Sequence, residues 1–138
     1  MRHVYFAVPA YLCLYLATLC FAQHQDEAMR RMHLRLAEPI AIAFDNSQLA
    51  SIEEFFNNTT GQPLRFDWES LALLGVEKDT PILLTLPAAP AETAIKLTLY
   101  AAIAGVADDP PALDDFVFTF RMEGDKAVIS VKKIDRPL

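Results

Sequence analysis

Thiols, glycine and histidine are all scarce in this 138-residue chain. Its two cysteines, Cys13 and Cys20, both lie within the first twenty positions. Beyond them a disulfide, a thiolate metal site and a cysteine nucleophile are excluded. The four glycines, Gly61, Gly75, Gly105 and Gly124, stand too far apart to build a loop that cradles phosphate. His3, His24 and His33 are the only histidines, and all three precede residue 34. No imidazole is left to activate a serine, no histidine pair has metal-ligand spacing, and no G-x-S-x-G elbow occurs. Positive charge is also short, with 12 Lys plus Arg against 18 Asp plus Glu for a net charge of −6. That balance opposes nucleic-acid binding, which depends on neutralising phosphates. The expectation is a protein that is not an enzyme, with no cofactor, no resident metal and no nucleic-acid partner.

What is present begins with a long apolar run. Met1-Arg2-His3 gives a short positive start, residues 4–19 are apolar, and Cys20-Phe21-Ala22 precedes polar Gln23-His24-Gln25-Asp26. This is the order of a secretory signal peptide over residues 1–22, with cleavage expected between Ala22 and Gln23. The expected location is periplasmic or secreted. Leu19, in front of Cys20, stands where a lipid-attachment box needs a small residue. The alternative is an uncleaved N-terminal membrane anchor, since residues 4–22 are long enough to span a bilayer as a helix. Pro9 in mid-run, the lone Arg2 and the small residue at the cleavage point favour the signal peptide. Cleavage would remove both cysteines and Arg2, shifting the net charge from −6 to −7. No stable membrane span is then expected.

The rest reads as one α+β domain with a leader and a tail. Residues 23–38 form a helical leader, in which Met29, Met32, His33 and Leu36 recur at helical spacing. It either touches a membrane or partner, or packs on its own domain; the second reading is the plainer one. Over 39–134 the pattern predicts a strand at 40–44, a turn at Asp45-Asn46-Ser47, and a helix carrying Leu49, Ile52, Phe55 and Phe56 on one stripe. Glu53 and Glu54 fall off that stripe. Ser47 is the expected helix cap, Ser51-x-x-Glu54 an alternative capping box, and Gly61 the terminator. A second strand at 64–67, a helical turn at 68–74 capped by Asp67, and a third strand at 82–86 follow. Residues 87–90 read as a connector, with Pro90 at the first position of a helix over 91–104. After a loop at 107–115, residues 116–120 and 127–132 form a hairpin around Glu123-Gly124-Asp125-Lys126. Residues 135–138 are the tail.

Strand, helix and strand occur twice, at 40–67 and 82–120. Two such units predict a small mixed sheet with two main helices on one face, a βαββαβ-like arrangement with a C-terminal hairpin. The core would join Phe44, Phe55, Phe56 and Phe66 to Leu84, Leu99, Phe118 and Ile129.

Three features carry candidate interactions. Asp108, Asp109, Asp114 and Asp115 form an acidic loop that either gathers around Ca²⁺ or is a solvated surface; the spacing matches no EF-hand, and Pro110-Pro111 stiffens its middle. Asp67-Trp68-Glu69 joins an aromatic to two carboxylates, as a sugar platform does, with Tyr100 a possible second aromatic; a Trp closing the edge of a small core is the simpler reading. Asn57-Asn58-Thr59-Thr60 holds two overlapping glycosylation acceptors, or is simply a helix end.

Phe44-Asp45-Asn46-Ser47-Gln48-Leu49, two turns of amphipathic helix, Thr60-Gly61 and Leu64-Arg65-Phe66-Asp67-Trp68 resemble the short N-terminal domain of secretins and TonB-dependent receptors. The likeness is to the variant in secreted planctomycete-type proteins, and it continues through Asp79-Thr80-Pro81 and the final hairpin, about residues 37–133. Gln48 stands where proline is common, and the 107–115 loop is longer and more acidic than the pattern. The resemblance implies an envelope α+β module that binds a protein partner. It brings no active site, and gating or signalling through a channel does not carry over. The expected function is an exported cell-envelope protein–protein interaction module; the alternatives are a cell-wall or glycan binder using Trp68 and, behind it, a metal-dependent hydrolase using Asp114 or Asp115. N-terminal sequencing of the exported protein should begin at Gln23, whereas a chain that still begins at Met1 would establish the anchor.

Overall fold

The computed structural model describes residues 26–109 and 111–134. The expected signal peptide, the first residues of the leader, Pro110 and the tail lie outside them. Helix α1 covers residues 26–36. There follow β1 (Pro39–Gln48), α2 (Leu49–Thr60), β2 (Leu64–Phe66), α3 (Trp68–Leu73), β3 (Pro81–Pro90) and α4 (Ala91–Val106). A 3₁₀ turn at Leu113–Asp115 leads into β4 (Phe116–Glu123) and β5 (Lys126–Lys133). The class is α+β, and its strands divide into two small sheets. β1 and β3 pair antiparallel, while β5 lies between β2, its parallel neighbour, and β4, its antiparallel one.

The β1–β3 ribbon is longer than the sequence pattern suggests, because two bulges carry it through residues read as a turn and a connector. Asp45 and Asn46 together oppose Leu83, and Pro87 and Ala88 together oppose Ala41. Asn46 has φ 52, a left-handed conformation that Asn tolerates better than most residues. Asp45-Asn46-Ser47 is thus a bulge inside β1, not a turn. Proline is compatible with β3 because it sits at a bulge and at the strand ends. Pro90 consequently lies one residue before α4 rather than inside it.

Helix starts are satisfied by backbone rather than by the expected side chains. Gln48 is the N-cap of α2 and no side chain caps it, neither Ser47 nor Ser51 with Glu54. Instead the Leu49 and Ala50 amides donate to the carbonyls of Thr80 (3.1 Å) and Lys78 (2.9 Å). The Ala91 amide donates to Glu38 at 3.0 Å, tying α4 to the entry of β1. Gly61, in a left-handed conformation, ends α2 as expected. Gly124 supplies the positive φ of the two-residue hairpin between β4 and β5.

One apolar core joins all layers. Met32 and Leu36 bring α1 into it, with Phe44, Ile52, Phe56, Phe66, Ile95, Leu99 and Ile129 from the other elements. Phe55, Leu84 and Phe118 are only partly covered. His33, placed on the inner stripe by spacing, is exposed. In α4 only Thr93, Gly105 and Val106 are exposed, since the helix packs on β3 and β1 and also borders β4. Ala91, Ala94 and Ala102 permit that close approach. Among the described residues no helix is long and apolar enough to cross a membrane.

β2 is held in an unusual way. Its Pro63 and Asp67 flanks bond β5: Ala127 donates to the Pro63 carbonyl (2.8 Å), and Asp67 donates to the Ile129 carbonyl (2.8 Å). Its opposite edge is closed by side chains of α2. The Leu64 amide donates to Asn57 Oδ1 (2.7 Å), Asn57 Nδ2 donates to the Leu64 carbonyl (2.9 Å), and the Phe66 amide donates to Glu53 Oε2 (2.8 Å). Glu53, expected to be solvated, is therefore structural. The geometry works because four helical residues advance about 6 Å and two strand residues about 6.6 Å. Removing Asn57 strands two backbone groups. Asn57→Ala should lower unfolding free energy by about 2–3 kcal/mol in urea titration, against under about 0.5 kcal/mol for exposed Asn58→Ala.

Candidate functional site

Asp67 and Trp68 sit where β2 passes into α3, beside β5. Asp67 occupies the N-cap position of α3, but its side chain does not cap the helix. Oδ2 accepts from Ser130 Oγ at 3.0 Å, and the Asp67 carbonyl accepts from the Leu71 amide and Ser70 Oγ. Ser70 Oγ in turn accepts from the Val131 amide (3.3 Å), so the start of α3 covers β5 just beyond the end of β2. Trp68 is half-buried. Its ring meets Phe66 edge-on (centroids 5.8 Å apart), and the Lys78 ammonium stands 5.7 Å from its centroid. One cation and one aromatic thus already engage the ring that a sugar would need.

The acidic loop leaves the C-terminal end of α4 and enters β4. Asp108, Asp109 and Asp114 are exposed, and Asp115 is half-buried. Asp115 holds its own turn: Oδ2 accepts from the Ala112 amide (3.1 Å), and its carbonyl accepts from Ile134 (2.7 Å) beyond the end of β5. Tyr100 donates its hydroxyl to the Pro111 carbonyl at 2.5 Å, pinning the loop to α4 rather than presenting a ring to solvent. Among the described residues no three His, Cys, Asp or Glu side chains are placed to hold a metal ion. The loop and the Asp67–Trp68 corner are thus anchored by separate sets of bonds.

Two apolar grooves lie beside sheet edges, and sequence reasoning singled out neither. One, of about 290 Å³, runs between β1 and α2 and is lined by Ala43, Phe44, Ser47, Ser51 and Phe55 among others. Its aromatic wall is Phe44 and Phe55, edge to face at 5.4 Å, backed by buried Phe56 at 6.0 Å from Phe44. The other, of about 380 Å³, lies between α4 and β4 and includes Lys96, Leu97, Phe116 and Phe118. Lys96 there is occupied, bonded to Glu92 (3.3 Å) and placed 5.8 Å over the Phe120 ring. The only sequence signal for the first groove was the alternation of Ala41 and Ala43 with Ile42 and Phe44, whose small members leave room beside the strand.

The strand edges differ. β3 carries Pro81, Pro87 and Pro90, residues that cannot donate to an added strand. β2 is closed by Asn57 and Glu53. Among the described residues, β1 and β4 each have a strand on one side only; β1 has a proline only at its first residue, Pro39, and β4 has none. No family model, curated protein or solved structure matches the chain.

Proposed function

We propose that this chain is an exported, non-enzymatic cell-envelope module that binds a protein partner by adding a strand to an open sheet edge. The observation that carries this reading is the contrast between edges: β2 is closed by side chains and β3 is interrupted by Pro87, while β1 and β4 have no proline past their first residue and run beside apolar grooves. An unsealed edge next to a groove is the usual setting for strand addition, where backbone bonds give affinity and pockets for alternate side chains give selectivity. The acidic loop, with Asp108 and Asp109 exposed, is a second surface for the same partner.

Export rests on the order of charge, apolar run and small residue over 1–22. The non-enzymatic reading rests on the residue types: past His33 the chain has no imidazole and no thiol. The repeated order β1-α2-β2 and β3-α4-β4 supports kinship with the N-terminal domains of secretins and TonB-dependent receptors, and with it an envelope setting. The glycan alternative has less behind it, because the Trp68 ring already packs against Phe66 and beneath Lys78. Affinity capture from envelope extracts should retain one specific protein, and adding cell-wall fragments should leave the fluorescence of the single Trp unchanged. Retention of nothing above background would contradict the module reading, and quenching of Trp68 would favour the glycan binder.

A further inference from the structure

The two open edges are not equivalent electrically. No Lys or Arg occurs between Arg35 and Arg65, a stretch that contains all of β1, α2 and β2 up to its second residue. Its acidic residues are Glu38, Asp45, Glu53 and Glu54. Glu53 is engaged by the Phe66 amide. Asp45 and Glu54 are exposed and take part in no ion pair among the described residues. Neither carboxylate lines the groove itself: Asp45 follows Phe44 in β1 and Glu54 precedes Phe55 in α2, each the exposed chain neighbour of a lining residue. The β4 groove instead mixes Lys96 with Asp114, and the outward side of β4 carries Arg121.

We infer that the β1–α2 groove receives an extended, lysine- or arginine-bearing segment of a partner protein, which adds as a strand along Ala41–Phe44 and places an apolar side chain against Phe55. This deepens the interaction-module reading and rests on it. The backbone edge and aromatic wall supply contact for any extended apolar segment; the two uncompensated carboxylates select for positive charge. A symmetric β1–β1 pairing with a second copy of this chain is disfavoured, because it would bring the same carboxylates together. The bulge at Asp45-Asn46 limits the added strand to the residues before it, and Asp45 is the first residue past that limit.

The test uses the full chain and two fluorescently labelled peptides, one alternating Val with Lys and one alternating Val with Glu, read by anisotropy. The Val/Lys peptide should bind and the Val/Glu peptide should not. The double variant Asp45→Lys, Glu54→Lys should weaken Val/Lys binding about tenfold or more. The same charge change made in the acidic loop, Asp108→Lys with Asp109→Lys, should leave it within about twofold at physiological salt, where distant charges are screened. Ser51→Trp, which fills the groove from an exposed helix position, should abolish binding without lowering the melting temperature. Failure of the Val/Lys peptide to bind, equal binding of both peptides, or equal weakening by the loop variant would each overturn the groove assignment. An envelope partner captured as well by Ser51→Trp as by the unaltered chain would overturn it too while leaving the module reading intact. Capture of no partner by either chain would remove the module reading itself.

Discussion

A three-residue strand with one neighbour has backbone groups on its far side that must find partners, and here a helix provides them. Asn57 and Glu53, one turn apart on α2, meet Leu64 and Phe66, two apart on β2, so the helix stands in for a missing strand. Unpaired, each of these groups would cost about 1–3 kcal/mol on burial. The match of pitch fixes both the position of α2 along β2 and its rotation. With that rotation set, Ile52 and Phe56 point into the core and Ser51 and Phe55 are left toward β1. The groove is a consequence of the clamp.

The clamp extends through one buried amide. Gln62 is only 2% exposed; its Nε2 donates to the carbonyls of Pro63 (2.9 Å) and Asp125 (3.1 Å), and its Oε1 accepts from Arg35 at 3.2 Å. α1, the end of α2, the start of β2 and the β4–β5 hairpin are thereby linked through a single side chain. By contrast ion pairs such as Arg65–Glu123 and Arg121–Glu123 are half-exposed and contribute little to stability. Packing and the buried polar network hold this domain together, with no thiol within the described residues to assist. The same network leaves β1 and β4 as its unsealed margins.

Periodicity made much of this legible. The paired apolar residues of α4, the alternation through Phe116–Phe120 and the Gly124 hairpin each depend on neighbours close in sequence, and each appears as expected. What stayed hidden depends on distant partners. Asp45-Asn46-Ser47 has the composition of a turn, and only the pairing of Phe44 with Leu84 and Ser47 with Ile82 makes it a bulge. Pro87 looks like a strand breaker until Ala41 is found opposite. Asp67 has the chemistry of a helix cap, yet Ser130, 63 positions away, takes its carboxylate. Glu53 and Glu54 are indistinguishable as a solvated pair until β2 claims one. The acidic loop and Trp68 were conspicuous as residue types, whereas the β1–α2 groove consists of Ala, Ser and Phe that draw no notice in a linear sequence.

Amide hydrogen exchange at Leu64 and Phe66 tests the central claim most directly, because those two amides have no strand on their side of β2. If Asn57 and Glu53 close that edge, both amides should exchange as slowly as those of Val128 and Val131 in the middle strand, with Asn57→Ala accelerating Leu64 first. Exchange at Leu64 and Phe66 as fast as at the exposed Gly124 turn would mean that the helix does not seal the strand, and the account built on it would fail.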